Sequence, residues 1–389
     1  MTILTCAGAV EVETVYGQDR ETRRWLNPFR EVLGLSGQEK MSPVLEERLC
    51  FTAALTGSYE KAGQMAGKWG CPVADDSTIH QHVQTAGARA AWLHEERVER
   101  ALDVSTRADV VREAGQEAPR GPFSLVLMMD GWMVRERGGD WGLKPPEKQG
   151  ERVAWHEMKT GVVFRLEAMA KSQSGRGFLI EKYYEAWRGS PEEFGRRFYA
   201  QALRRGLNQA ERVYVVADGG AWIWNLVEDR FSDAVGVLDF YHASEHLWAV
   251  AREIYGEDET AARRWVQRLL HQLKHGEEDR VLSHLNQTWR TRSRRGSRGA
   301  DALAQLCQYL ERHRDHLHYQ QVESEGCPKG SGAVESTCSQ LQDRFKRCGQ
   351  FWSLDGETAL LELEQARRNN DWDEIWNDQH EFQDQEAVA

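Results

Sequence analysis

Much that would classify a protein at a glance is missing from this sequence. Its 389 residues contain no internal repeat, no low-complexity segment outside one arginine-rich run, and no apolar stretch approaching the roughly 18 residues of a membrane span. Solenoid and membrane-spanning architectures are therefore not expected. The opening decapeptide MTILTCAGAV is mildly apolar without a basic leader, so a soluble, unexported, cytoplasmic protein is expected. Cysteine is sparse: Cys6, Cys50, Cys71, Cys307, Cys327, Cys338 and Cys348 form an odd, scattered set without a C-x-x-C pair. That spacing suggests neither a disulfide framework nor a zinc ribbon, and a reducing compartment is the simplest setting. The length predicts two or three domains.

Net positive charge is lacking too. The formal charge is −11, which at first argues against a polyanionic partner. Its distribution changes that reading: from Asp355 to Ala389 eleven acidic residues face only Arg367 and Arg368, a balance of −9, so the rest of the chain is nearly neutral. On that neutral body RTRSRRGSR supplies Arg290, Arg292, Arg294, Arg295 and Arg298, and DRFKR supplies Arg344, Lys346 and Arg347. These side chains are candidate phosphate contacts for double-stranded DNA.

Residues 1–110 read as a helical region. EERLCFTAALTG closes on Gly57, SYEKAGQMAGKWG runs from Ser58 to Gly70, and DDSTIHQHVQTAGARA starts at Asp76 or Ser77. Three short helices with tight turns predict a helix-turn-helix-like domain, with a plain helical bundle the alternative from spacing alone. Asp109 to Arg120 reads as a boundary. Beyond it SLVLMMDGWMV is a continuous apolar strand, and RVAWHEMKTGVVFRLEAMA is one or two further strands. SPEEFGRRFYAQALRRG is a helix capped by Ser190, RVYVVADGG a second buried strand, AWIWNLVEDRF a helix, AVGVLDF a third buried strand and YHASEHLWAVAREIYG a helix. Strand, antiparallel strands, helix, strand, helix, strand, helix is the ribonuclease H order. The expected fold class is α/β: a ribonuclease H-like catalytic core beginning over 121–258, an all-α insertion over 259–325, with a loop at the arginine run, and a final catalytic helix with an acidic tail over 326–389.

Asp130 lies inside an otherwise apolar strand, where an ionised carboxylate is costly unless a positive charge compensates it. Asp218 ends the strand VYVVAD, which the ribonuclease H order places beside the first. Glu335 sits in the first turn of the last helix, after the loop CPKGSG. Three converging carboxylates make a hard-oxygen site suited to Mg²⁺ or Mn²⁺, and two such ions about 3.5–4 Å apart would serve phosphodiester transfer. Taken singly, the two Asp-Gly pairs are also ordinary turn signals, and Glu335 could merely offset a helix dipole.

The stretch VLDFYHASEHL admits a competing chemistry. HASEH fits H-x-x-E-H, in which His242 and His246 would hold zinc and Glu245 would act on water. The whole sequence, however, resembles the DDE transposases of bacterial insertion sequences, specifically the ISKra-like group, distantly Mutator-like. The resemblance rests on MMDGWM, VVADGGAWIW, LDFYHASEHL, KGSGAVEST followed by RFKRCGQFWS, and WDEIW. It covers Ser124 to Trp376 well and the N-terminal helices loosely. It implies that Asp130, Asp218 and Glu335 bind the metal ions, and that Asp239 and His242 form a D-x-x-H pair near the active site. It also implies that the helical segment before Glu335 is an insertion and that a homodimer pairs two DNA ends. ALLELEQARRNN carries less arginine than the resemblance would lead one to expect, and the tail EFQDQEAVA has no counterpart. A non-catalytic DNA-binding protein that keeps the fold is the remaining alternative. His313, His316, His318 and Cys327 form a weaker zinc candidate, better read as an amphipathic helix end. Trp222, Trp224, Trp248, Trp265, Trp289 and Trp352 read mostly as core, with stacking on a flipped base as the functional alternative.

Overall fold

A computed structural model of the chain describes residues 1–23, 25–33, 35, 40–71, 75–144, 150–173 and 177–377. Its elements begin with β1 (Thr2–Thr5), β2 (Gly8–Glu11), β3 (Gly17–Gln18), β4 (Trp25–Leu26), α1 (Pro28–Val32), α2 (Pro43–Leu55), α3 (Tyr59–Lys68), α4 (Asp76–Leu102) and α5 (Arg107–Glu117). There follow β5 (Ser124–Arg137), β6 (Val153–Arg165), β7 (Met169–Lys171), β8 (Gly177–Leu179), β9 (Tyr183–Arg188), α6 (Pro191–Arg204), β10 (Arg212–Ala217), α7 (Ala221–Arg230) and β11 (Val235–Leu238). The rest is helical: α8 (Phe240–Tyr255), α9 (Glu259–Lys274), α10 (Glu278–Arg294), α11 (Ala300–Arg312), α12 (Tyr319–Ser324), α13 (Gly332–Phe345), α14 (Leu354–Arg368) and α15 (Trp372–Asn377). Among the described residues no helix is long and apolar enough to cross a membrane. The chain divides into two units, one of Met1–Glu99, Val134–His156 and the segment from Leu341 onward, the other of Arg100–Met133 and Glu157–Gln340. The final segment 326–389, expected as one piece, is thus split between them.

In the first unit, Ser42 and Ser58 start α2 and α3 by accepting from the backbone N–H of Leu45 and Lys61. The two helices pack together, and α14 lays Leu360 and Leu363, both fully buried, against α2. A Cβ on Gly87 of α4 would sit 2.5 Å from Ala359 Cα, so a side chain there would drive α4 and α14 apart. Glu362, Glu364 and Asp371, among the eleven C-terminal acids counted above, are paired inside this unit. His94 meets Glu362 at 2.8 Å, Arg97 meets Asp371 at 3.1 Å, and Glu364 is held by Arg367 and Arg368. The two arginines of ALLELEQARRNN are therefore internal partners. The tail 381–389 lies outside the described residues.

Three expectations need correction here. Residues 1–110 are not helical throughout, since β1 pairs with β2 and β3 with β4 before the first helix. The third helix is not short: α4 continues through AWLHEERVERAL because nothing after Gly87 breaks the helical period. Asp109 to Arg120, read as a boundary, is mostly helix α5, which buries Val110 and Ala114, and the units change at Glu99 and Arg100.

The second unit holds a five-stranded mixed sheet in the order β11-β10-β5-β6-β9. β10 runs parallel to both β5 and β11, and β9 is antiparallel to β6. Central position explains composition: Leu125 to Met129 and Tyr214 to Ala217 are almost wholly buried, as strands covered on both faces must be. Edge strand β9, from YYEAWR, had no sequence assignment. Helix α6 packs on β9, α5 and α7; Ser190 accepts from Glu193 N–H at its start, and Gly206, at φ +97°, follows its end. From α8 to α12 the described residues form helices and turns without strands.

The closest approach of sheet to helix is at Gly161 of β6, where an added Cβ would lie 2.9 Å from Phe198 Cζ and nearer still to two other ring atoms. Gly161→Ala is expected to cost about 1–3 kcal/mol through overpacking, read as a lower urea midpoint with an unchanged m-value.

Candidate active site

The sheet register places three aspartates side by side. Ala217 of β10 pairs with Met129 of β5 and with Leu238 of β11. The next residue on each of these parallel strands is Asp218, Asp130 and Asp239 respectively. Asp218 and Asp239 directly follow the carboxyl-terminal ends of β10 and β11, the edge at which open α/β sheets bind ligands, and Asp130 lies beside them in the middle of the longer β5. Each is held by a local donor. Asp130 accepts from Gly131 N–H at 2.7 Å and Asp218 from Gly220 N–H at 2.9 Å. Asp239 caps α8, its Oδ1 accepting from the N–H groups of Tyr241 and His242 at 2.6 and 2.9 Å. Its Oδ2 reaches the loop before α13, 2.6 Å from Ser331 N and 2.5 Å from Ser331 Oγ. Ser331 Oγ also lies 2.7 Å from Glu335 Oε1. The carboxylate expected on the last helix is thus linked to the sheet edge through one serine.

Electrostatics tie Asp130 to the other two metal-binding candidates. Burial raises the Asp130 carboxyl above its ordinary range, and the negative charges of Asp218 and Glu335 add to the rise, while Gly131 N–H and the Cys338 thiol oppose it. Glu157 is a further acid here: a Cβ on Gly131 would sit 2.5 Å from its Oε1, but Lys159 Nζ neutralises Glu157 at 2.9 Å. Among the described residues no three His, Cys, Asp or Glu side chains are drawn together into a ready-made metal cage. Asp130, Asp218 and Glu335 are gathered at electrostatic range, each on its own hydrogen bond.

Two neighbours escaped sequence reasoning. Cys338, one turn beyond Glu335, has its thiol pushed up first by burial and then by the Asp130 charge, so it remains a donor toward Asp130. The i,i+3 spacing from Glu335 is a signal that could have found it. Tyr309, from α11, rests on the turn after Asp218, where any Cβ on Gly219 would collide with its ring. Burial, then the charges of Asp218 and Asp239, keep its phenol protonated. Nothing local in the sequence marks it.

The HASEH segment forms one turn of α8. His242 and His246 bring their Nε2 atoms within 3.2 Å of each other, and His246 lies 4.4 Å from the Tyr309 ring centroid. Burial, followed by the His242 charge, lowers the His246 pKa. Glu245 is turned outward, its side chain 80% exposed. A zinc-peptidase site needs a third ligand beside the two imidazoles, and none is gathered among the described residues.

The basic candidates separate. The arginine run is not a loop: Arg290, Arg292 and Arg294 belong to the last turns of α10, Arg295 caps it, and Arg298 lies in the turn beyond. Arg290, Arg294, Arg295 and Arg298 are exposed, and Arg292 donates to Arg298 O. Lys346 is half-buried beside Trp155, and Arg347 is exposed. Arg344 is corrected from a DNA contact to an internal group. It is 7% exposed, donates to Ala53 O at 3.2 Å, and lies among Tyr59, Phe345 and Trp352; burial lowers its pKa to about 10.

His316 stacks on Trp224 at 3.9 Å and His313 packs between Trp224 and Tyr309, so these rings serve as core, as the amphipathic reading expects. With His318 and Cys327 they make no metal cluster among the described residues. Trp224, Trp265 and Trp352 are buried; Trp222, Trp248 and Trp289 are half-buried.

Comparison with known proteins adds a family. The model of "Uncharacterised protein family (UPF0236)" matches residues 1–115 and 168–380, spans that include Asp218, Asp239 and Glu335 but not Asp130. No curated protein matches. Among solved structures, the Drosophila P element transposase strand transfer complex is similar at a TM-score of 0.36 and 11% identity, covering 83% of this chain and 92% of that one. A likeness at that score carries no argument.

His313 generates a pH prediction. It is 3% exposed, and burial, then His316 and Arg312, lower its pKa from 6.5 to about 4. Between those values the unfolded chain binds a proton that the folded chain refuses, so stability falls as pH drops through the window, by up to about 1.4 kcal/mol per pH unit from this group. His313→Phe should flatten the slope of unfolding free energy between pH 6.5 and 4; an unchanged slope would assign the loss to other groups.

Proposed function

The chain belongs to the uncharacterised protein family UPF0236, and from that starting point we propose that it is a DNA transposase of the DDE type. It cleaves and joins DNA strands by metal-dependent phosphoryl transfer, with a ribonuclease H-like core. The observation that supports this reading is geometric: the strand register sets Asp218 beside Asp130 and Asp239, and Ser331 links Glu335 of α13 to Asp239 in the same row. The strand order β11-β10-β5-β6-β9, numbered within the sheet as 5-4-1-2-3, supports the ribonuclease H reading. The motifs MMDGWM, VVADGG and GSGAVEST resemble those of the ISKra-like group and support that finer reading.

The donor set fits a hard divalent cation. Three carboxylates, one with its charge disfavoured by burial and by the other two, are stabilised together by Mg²⁺ or Mn²⁺ and suit neither a soft metal nor an empty apolar site. When bound, such ions supply an activated water or 3′-hydroxyl and stabilise the leaving oxygen. The chain itself orients: Gly131 and Gly220 N–H groups fix Asp130 and Asp218, the Cys338 thiol donates toward Asp130, and the Tyr309 phenol stays protonated beside them. DNA is held through Arg290, Arg294, Arg295 and Arg298, with Lys346 and Arg347 on the other unit and α2 to α4 reading the element end. Pairing two ends calls for a homodimer.

Incubation with an element-end duplex and Mn²⁺ should produce a nick at the element boundary. Asp130→Ala, Asp218→Ala and Glu335→Gln should each reduce nicking by at least about a thousandfold while leaving end binding measurable; near-normal nicking by any of them overturns the assignment. Replacing Arg290, Arg294 and Arg295 together by Ala should lower the slope of log K against log salt by about 2–3. An unchanged slope would remove that run from the interface.

A further inference from the structure

Ser331 is held on two sides by acids that come from different parts of the fold. Its backbone N–H and its hydroxyl both face Asp239 Oδ2, at 2.6 and 2.5 Å, and the same hydroxyl lies 2.7 Å from Glu335 Oε1. Ser331 is 5% exposed and Asp239 is 1% exposed, so water does not compete for these contacts. The loop is fixed further by Phe240 N–H donating to Lys329 O at 2.9 Å and by the approach of Gly330 to Tyr241, where a Cβ would sit 2.6 Å from Cδ2. Asp239 in turn is locked by the α8 cap and by its own N–H, which donates to Ala217 O at 2.7 Å. A rigid chain of contacts therefore runs from the end of β10 through Asp239 and Ser331 to Glu335.

Resting on the transposase reading above, we propose that Ser331 is the positioning residue for Glu335 and that Asp239 is its anchor, with no direct part for Asp239 in metal binding. Asp239 Oδ1 accepts from two N–H groups and Oδ2 accepts from the Ser331 N–H, so the α8 cap and the Ser331 backbone hold this carboxylate in the anchoring position. Glu335, by contrast, has one oxygen 2.7 Å from the Ser331 hydroxyl and its second oxygen without a hydrogen-bond partner among the described residues, which leaves that oxygen available to a cation. The hydroxyl carries a single proton and cannot donate to both acids at once; because the Ser331 backbone N–H already holds the loop on Asp239, that proton can be given to Glu335. Ligand-orienting partners of this kind are commonly worth 10–100-fold in metal affinity.

The test is Mn²⁺ affinity of the full chain, measured by electron paramagnetic resonance in the absence of DNA, for the wild type, Glu335→Gln, Ser331→Ala and Ser331→Thr. The expected result is that Glu335→Gln weakens binding, Ser331→Ala weakens it by about tenfold or more, and Ser331→Thr, which keeps the hydroxyl at a position that accepts threonine, stays within about threefold of wild type. Wild-type affinity in Ser331→Ala, with Glu335→Gln still impaired, overturns the positioning role alone. Binding unaffected by Glu335→Gln overturns the carboxylate-site reading and this inference with it. Far-ultraviolet circular dichroism and the thermal midpoint of Ser331→Ala separate misfolding from mispositioning. A midpoint within a few degrees of wild type together with weakened Mn²⁺ binding is the signature of positioning, and Ser331→Thr, which retains the fold and the hydroxyl, decides the matter if Ser331→Ala is unstable.

Discussion

Repulsion among carboxylates that share one register row across three parallel strands is the constraint around which the second unit is arranged. Two unit charges 4 Å apart at an effective dielectric of about 20 repel by roughly 4 kcal/mol, a large fraction of what an entire domain has to spare. Aligning Asp130, Asp218 and Asp239 in one register row therefore requires compensation. Asp239 obtains it from three backbone N–H donors contributed by α8 and Ser331. Asp130 does not: one backbone N–H and a thiol oppose burial and two negative neighbours, and the net displacement of its pKa is upward. That residual, together with the register row, is the physical basis on which a cation is proposed at this edge.

Glycines make the compensation sterically feasible. The turn after Asp218 is Gly219-Gly220, of which the first admits the Tyr309 ring and the second points its N–H at the carboxylate. Gly330 lets the loop before α13 lie on Tyr241, which brings Ser331 within reach of Asp239. Gly236 lies close beneath the stacked Trp224 and His316 rings. At each place a side chain would separate the sheet edge from the helical segment that covers it. The insertion is thereby part of the site's construction, through Tyr309, and more than a spacer between Asp218 and Glu335.

Local signals made much of this fold legible. Ser190 with Pro191 announces α6, the apolar runs at Leu125 to Met129 and Val213 to Ala217 announce central strands, and an aspartate closing an apolar run announces a strand end. What stayed hidden depends on contacts across long stretches of chain. YYEAWR lies at a sheet edge with mixed burial, so it shows no clean period of two. Arg344 reads as a surface cation beside Lys346 and Arg347 until Tyr59 and Ala53, nearly three hundred residues earlier in the chain, enclose it. The Asp239 to Ser331 link spans 92 positions, and the sequence marks its two ends without showing that they meet.

The central claim is that Asp130, Asp218 and Glu335 form one cation site. Its most direct test is the anomalous scattering from a crystal grown with Mn²⁺. The account predicts a peak lying between Asp130 and Asp218 with Glu335 at its side. A peak between His242 and His246, or none near Asp130 in β5 and the end of β10 at saturating Mn²⁺, would contradict it.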